Sequence, residues 1–145
     1  MNICELETGS HLYAEAVALR YDQFFREHNL VKDILYDEKE KISKHIAVID
    51  DDSLIACGRI TDLGEGVYQF SQIVVKPQMQ GKGYGTLLLK ELISISIRDG
   101  CKKIILNARA TAVKFYEEQG FKSHGDMFLS KTTGVPHFQM FYAKH

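Results

Sequence analysis

The sequence predicts an α/β fold, a mixed, largely antiparallel twisted sheet flanked by helices. Three apolar-rich runs, residues 45–50, 54–61 and 67–75, are separated by short polar turns, the pattern of an antiparallel meander. A strand–helix–strand succession follows, the crossover that a parallel pair of strands requires. With 145 residues, 45% hydrophobic and 26% charged, the chain can bury roughly two-thirds of its unfolded surface. That suffices for one core, and residues 1–145 are read as a single domain.

Each element has its local signals. Residues 2–6 suit a first strand, and Ser10 is an N-cap for a helix to about Arg26, with Leu12, Ala16 and Leu19 in its apolar stripe. Residues 29–44 are polar and charged, fitting a short helix plus loop. The acidic turn Asp50-Asp51-Asp52-Ser53 joins the first hairpin, and Leu63-Gly64-Glu65-Gly66 turns into the third meander strand, which Pro77 stops. A helix over residues 83–99 buries Leu88, Leu89, Leu92, Ile93 and Ile95, exposes Lys90, Glu91, Ser94 and Arg98, and ends at Gly100. Residues 103–106 are a short apolar strand, 111–119 a helix closed by Gly120, and 124–129 and 136–142 the last two strands.

Composition narrows the function. The 18 basic and 19 acidic side chains exclude a generally basic nucleic-acid binder. The balance is uneven along the chain: 14 acidic and 7 basic residues through Gln72, then 5 acidic and 11 basic. The second half is thus the better host for an anionic ligand, and an acidic first half would suit a cationic amine. Cys4, Cys57 and Cys101 show no CxxC spacing and the six histidines are dispersed, so neither a metal site nor a disulfide framework is expected, and a reducing cytoplasm is. The N-terminal residues lack signal-peptide character, and the most apolar stretch, residues 86–97, is too short and too polar for a membrane span.

The most informative segment runs from Ile73-Val74-Val75 through Gln80-Gly81-Lys82-Gly83-Tyr84-Gly85-Thr86. A strand enters, glycines alternate through a turn, and a helix leaves. Glycines free the backbone to approach a ligand, unpaired amides and the positive helix end attract anions, and Lys82 adds a charge. A P-loop string GxxxxGK(S/T) is absent, and the spacing of GKGYG does not fit a dinucleotide fingerprint.

Gln80-Gly81-Lys82-Gly83-Tyr84-Gly85 resembles the Q/R-x-x-G-x-G/A motif of the GNAT family of N-acetyltransferases. Leu106-Asn107-Ala108 followed by Phe115-Tyr116-Glu117-Glu118-Gln119-Gly120-Phe121 is similar to that family's LNA…FYxxxGF block. Leu19-Arg20-Tyr21, Phe24-Phe25, Asp37 and His45 resemble the start of small bacterial members, and Gly134-Val135-Pro136-His137 with Met140 the end of ElaA-like ones. The resemblance implies the acyl-CoA N-acyltransferase fold and acetyl-CoA as acyl donor. It implies cofactor contacts at Ile73, Val74, Val75, Gln80, Gly81, Lys82, Gly83, Tyr84, Gly85, Thr86 and Asn107, with Tyr116 as the catalytic acid. Asn107 could equally cap the following helix, and Arg109 and Lys114 could meet the cofactor phosphates.

Acyl transfer to an amine asks for a held thioester, a neutral attacking nitrogen, and a proton for the departing thiolate. A phenol such as Tyr116 is protonated at neutral pH and can supply that proton. The strand before the loop, Val67-Tyr68-Gln69-Phe70-Ser71-Gln72, carries no carboxylate that would serve as base. Asp37, Asp62, Glu65 and His137 are the candidates, and Arg59 is either a contact for an acceptor carboxylate or a surface charge. The expected reaction is direct acetyl transfer to a primary amine of a small molecule or peptide, by a monomer or homodimer with no metal, nucleic-acid or membrane partner. The alternatives are a non-catalytic CoA-binding module on the same scaffold and a nucleotide-binding protein.

Overall fold

The computed structural model describes residues 1–28, 30 and 35–143. In chain order the regular elements are β1 (Asn2–Leu6), α1 (His11–Phe24), β2 (Ser43–Asp50), β3 (Ser53–Asp62), β4 (Val67–Val75), α2 (Tyr84–Arg98), β5 (Lys103–Arg109), α3 (Val113–Glu118), β6 (Phe121–Leu129) and β7 (Pro136–Tyr142). The strands form one 7-stranded sheet in the order β1-β2-β3-β4-β5-β7-β6. Neighbours run antiparallel except β4 and β5, which pair in parallel from Val67 opposite Lys103 to Phe70 opposite Leu106. This is the mixed, largely antiparallel sheet that the meander and the strand–helix–strand pattern predicted.

The central strands read as continuous apolar runs because both their faces are covered. Ile46 and Val48 pack with Leu88, Leu89 and Leu92 of α2 on one face, whereas Ala47 and Ile49 pack with Ala16, Val17 and Leu19 of α1 on the other. The Ser10 hydroxyl accepts the Tyr13 amide at 3.1 Å, as its cap position predicted. Helix α1 stops at Phe24, short of Arg26, and the chain passes into a 3-10 turn over Arg26–His28. On α2 the buried stripe 88, 89, 92, 93 continues to Ser96 rather than Ile95, following the i, i+3, i+4 spacing; the Ser96 hydroxyl donates to the Leu92 carbonyl at 2.9 Å. At Gly58 of β3 the side chains of α2 pack close: a Cβ there would lie 3.1 Å from Leu92 Cδ1.

Three expected boundaries move. Strand β5 continues to Arg109 because Ala108 still faces the core and residues 105–109 pair with β7, so Asn107 is a strand residue and does not cap a helix. The segment read as one helix over 111–119 divides into a 3-10 turn, Ala110–Ala112, and α3. Strand β6 begins already at Phe121; beyond that residue it is exposed along its length, an edge strand whose polar side chains hide it from an apolar pattern. The helix-plus-loop expectation for residues 29–44 falls partly outside the described residues; residues 36–42 form a loop and turns. Among the described residues, no helix is long and apolar enough to cross a membrane.

A bulge in β4 determines where the sheet opens. Cys57 faces Val74 and Arg59 faces Ser71, so Gly58 alone stands opposite Gln72 and Ile73. Gln72 takes a positive φ of 55°. The extra residue inverts the alternation: Phe70 packs on the α2 face, and Val74, four positions later, on the α1 face. Beyond Phe70 and Leu106 the parallel ladder ends, and β5 goes on to pair only with β7 as far as Arg109 opposite His137. The two central strands therefore diverge.

Candidate active site

The divergence leaves a cleft of about 410 Å³. Ser71, Gln72 and Ile73 of β4 line one wall, and Asn107, Arg109 and Tyr116 the other. Phe24, Phe25, Asp37, Thr132 and His137 also line it. Six expected residues, Asp37, Ile73, Asn107, Arg109, Tyr116 and His137, thus meet in one place. The wall residues Gln69, Ser71, Ser130, Thr132 and Thr133 were not anticipated, because nothing in sequence marks a polar side chain as facing a gap between strands.

Tyr116 is 9% exposed and packs edge-on against Phe115 and Phe121 at centroid distances of 5.1 and 5.9 Å. Burial pushes its phenol up to about 12, so the hydroxyl is a proton donor at any physiological pH. His137 sits beside the β6–β7 turn, with its Nδ1 2.8 Å from the Val135 carbonyl and its ring stacked on Phe128 at 5.9 Å.

The glycine loop follows β4 directly. The Gln80 amide donates to the Val75 carbonyl at 3.1 Å, folding the loop back on the strand. Gly83 is the left-handed N-cap of α2, with φ 89°. The first helical bond runs from the Leu87 amide to the Gly83 carbonyl, which leaves the amides of Tyr84, Gly85 and Thr86 without helical partners. A Cβ at Gly85 would stand 3.5 Å from Phe115 and 3.7 Å from Val75, so β4, the start of α2 and α3 converge here. Lys76 donates its amide to Ile55 of β3 at 2.9 Å. Strand alternation then turns the Val75 amide to the open edge and the Val74 amide back toward β3. Gly81, Lys82 and Gly83 are exposed.

Beneath the cleft lies a buried ionic network. Arg20 grips Glu40 with two bonds of 2.8 and 2.9 Å, and its Nε donates to Gln72 Oε1 at 3.2 Å. Arg59 bonds Glu40 at 3.0 Å, Asp37 at 2.9 Å and the Ser71 hydroxyl at 2.8 Å. Tyr13 donates to Glu40, and the His45 ring donates to the Glu40 carbonyl at 3.0 Å. Arg59 is 3% exposed, so it is neither a surface charge nor a free contact for an acceptor. Burial alone would raise the Glu40 carboxyl; the Arg20 guanidinium and the Tyr13 hydroxyl overcome this and hold it down at about 2. Of the network, Arg20, Asp37 and His45 were marked in the sequence by the resemblance, and Asp37 and Arg59 as candidate site residues; Tyr13 and Glu40 were not anticipated.

Two of the other expected groups, Asp62 and Glu65, lie away from the cleft, while Arg109 and Asp37 line it but are already engaged. Asp62 accepts the Gly64 amide at 2.8 Å and Glu65 belongs to the same turn, at the far end of β4 from the cleft. Arg109 stacks over Phe24 at 5.0 Å. Asp37 is the one carboxylate lining the cleft among the described residues, and Arg59 already pairs with it. Among the described residues, the acidic first half of the chain therefore contributes a single carboxylate to the cleft. Among the described residues, no three His, Cys, Asp or Glu side chains are placed to hold a metal ion.

The model of the Acetyltransferase (GNAT) family matches residues 6–121. The chain belongs to the GNAT acetyltransferase family. It is similar to the uncharacterized N-acetyltransferase YjcF of Bacillus subtilis (strain 168), with 31% identity over 127 residues, 87% of this chain and 89% of YjcF. Escherichia coli ElaA shares the fold at a TM-score of 0.81 and 22% identity, covering 97% of this chain and 99% of ElaA. So does a GNAT acetyltransferase from Elizabethkingia anophelis solved with acetyl-CoA bound, at a TM-score of 0.75 and 14% identity, over 99% of this chain and 97% of that one. As a GNAT acetyltransferase the chain is an acyltransferase; its β4 has no β5 partner beyond Phe70, and the turn that follows leaves three amides at the start of α2 without helical partners.

Proposed function

We propose that this GNAT domain, residues 1–145, transfers an acetyl group from acetyl-CoA directly to a primary amine of a small molecule or peptide, with both substrates bound together. The observation that carries the reading is the cleft where β4 leaves β5, with the glycine cradle at the end of β4 and Tyr116 among the residues that line it. The donor supplies an activated acetyl thioester. Ile73, Val74 and Val75 form the edge along which pantetheine lies. Gln80, Gly81, Lys82, Gly83, Tyr84, Gly85 and Thr86 hold the pyrophosphate with amides and one cation, and Asn107 bonds the arm from the β5 side. The Val75 amide, aimed at the opening, can hydrogen-bond the acetyl carbonyl oxygen as it gains negative charge. Tyr116 gives its proton to the departing sulfur.

Direct transfer is favoured over an acyl-enzyme because Cys57 is buried and burial pushes its thiol up to about 12, far from a thiolate nucleophile. The protein is proposed to act in the cytoplasm, as a monomer or homodimer, without a metal, nucleic-acid or membrane partner. Thermal shift with acetyl-CoA, CoA and ATP, followed by thiol release over a panel of amines, tests the reading. Stabilisation by acetyl-CoA and CoA together with amine-dependent thiol release is expected. Stabilisation by acetyl-CoA without release from any amine would assign a binding module, and stabilisation by ATP alone would sink the reading.

A further inference from the structure

We infer that His137 is the general base of this enzyme, taking a proton from the acceptor ammonium at Nε2. The inference rests on the acyltransfer reading above. A carbonyl oxygen only accepts hydrogen bonds, so the 2.8 Å contact between His137 Nδ1 and the Val135 oxygen requires the proton on Nδ1. The neutral ring then carries its lone pair on Nε2, which has no protein partner among the described residues. Stacking on Phe128 fixes the ring plane, and the residue lines the same cleft as Tyr116. A fixed tautomer, a fixed plane and a position in the cleft are what a base requires before its affinity for protons matters. The carboxylates offer less: Asp37 is engaged by Arg59, while Asp62 and Glu65 lie beyond the far end of β4.

The step balances as follows. One proton of the acceptor R–NH3+ passes to His137 Nε2, and the freed nitrogen pair forms the C–N bond at the acetyl carbonyl. The C–S bond breaks with its pair on sulfur, which takes the Tyr116 proton. The second nitrogen proton restores Tyr116, and His137 releases its own to solvent, one net proton per turnover. The charged and titratable groups that face His137 are Arg109 opposite it on β5 and, across the cleft, Asp37 and Tyr116; β6 presents Phe128.

The test uses two nucleophiles with acetyl-CoA: propylamine, cationic at neutral pH, and hydroxylamine, already neutral there. His137→Asn keeps a donor for Val135 but has no titrating nitrogen. It should lower kcat/KM for propylamine at pH 7 by roughly 10²-fold, in the range of general-base contributions, and abolish the acidic limb of that pH profile. Hydroxylamine turnover and stabilisation by CoA should stay within about twofold, and Asp37→Asn should retain the acidic limb. Nitrogen-15 NMR of the imidazole should show the proton on Nδ1 and a titration that tracks the limb. Equal losses for both nucleophiles, an unchanged acidic limb in His137→Asn, or an Nε2-protonated ring would each overturn the assignment. Wild-type protein that releases thiol with neither nucleophile would instead overturn the transferase reading and the inference with it, whereas the ring's protonation remains readable by NMR without any acceptor.

Discussion

With its phenol pushed up to about 12, Tyr116 stays protonated across the whole working range, so it can act as an acid but leaves no trace in a pH profile below about pH 10. That separates it experimentally from His137. Tyr116→Phe removes one oxygen from a ring held by Phe115 and Phe121 and keeps the packing, so the fold and the cofactor cradle should persist. Turnover is expected to drop by roughly 10²-fold, the lower end for losing a positioned proton donor. The dissociation constant of CoA by calorimetry should stay within about twofold, and the pH dependence of the residual rate should keep its shape. Unchanged turnover would remove Tyr116 from the chemistry. The proposed role of this residue was suggested in the sequence only by the FYxxxGF block; an aromatic pair in a short helix is otherwise a core contact, and Tyr116 does pack against Phe115 and Phe121.

Among the elements, the start of α2 depends most on single residues. Gly83 holds φ 89° at the N-cap, and a Cβ there would meet nothing within 4 Å. The cost of Gly83→Ala is therefore conformational, about 1–2 kcal/mol for a left-handed alanine, or roughly 3–8 °C in Tm at this chain length. If the loop relaxes instead to avoid the strain, the amides of Tyr84, Gly85 and Thr86 lose their common direction. Either way the thermal stabilisation given by CoA should shrink by more than the apoprotein loses. An alanine variant with full CoA stabilisation would show that the cradle does not need this geometry. Glycine at that position announced its own requirement, which is why the loop and the helix it starts were readable to within a residue. The β4 bulge was not readable: Gln72 at φ 55° is a non-glycine residue in a glycine conformation, and nothing in its side chain signals that. The divergence of β4 from β5, and with it the cleft, follows from this hidden irregularity.

At the scale of the whole molecule, the Glu40 cluster ties the loop after α1 to the sheet. Its residues come from α1, the 36–42 loop, β2 and β3, and its outer bonds reach Gln72 in the bulge and Asp37 at the cleft. Sequence could not show this because ion pairs across 19 to 22 residues leave no periodic pattern, and Glu40 sits in a stretch that reads as solvated. Removing one member leaves buried guanidinium charge without its counterion, so Glu40→Gln should cost about 3–5 kcal/mol in denaturant unfolding at pH 7. The pH dependence has a definite sign. Glu40 is held at about 2 against an ordinary 4.5, so its contribution is complete above pH 4.5 and fades as pH falls toward 2. Burial also lowers His45 from 6.5; the unfolded chain binds that proton more readily, and the protein loses stability as pH falls below 6.5. Wild-type protein should thus weaken in two stages, beginning near pH 6.5 and steepening below 4.5. Glu40→Gln should keep the histidine stage and lose the second, so the two stability curves converge toward pH 2. Parallel curves across that lower window would place the stabilising charge elsewhere than on Glu40.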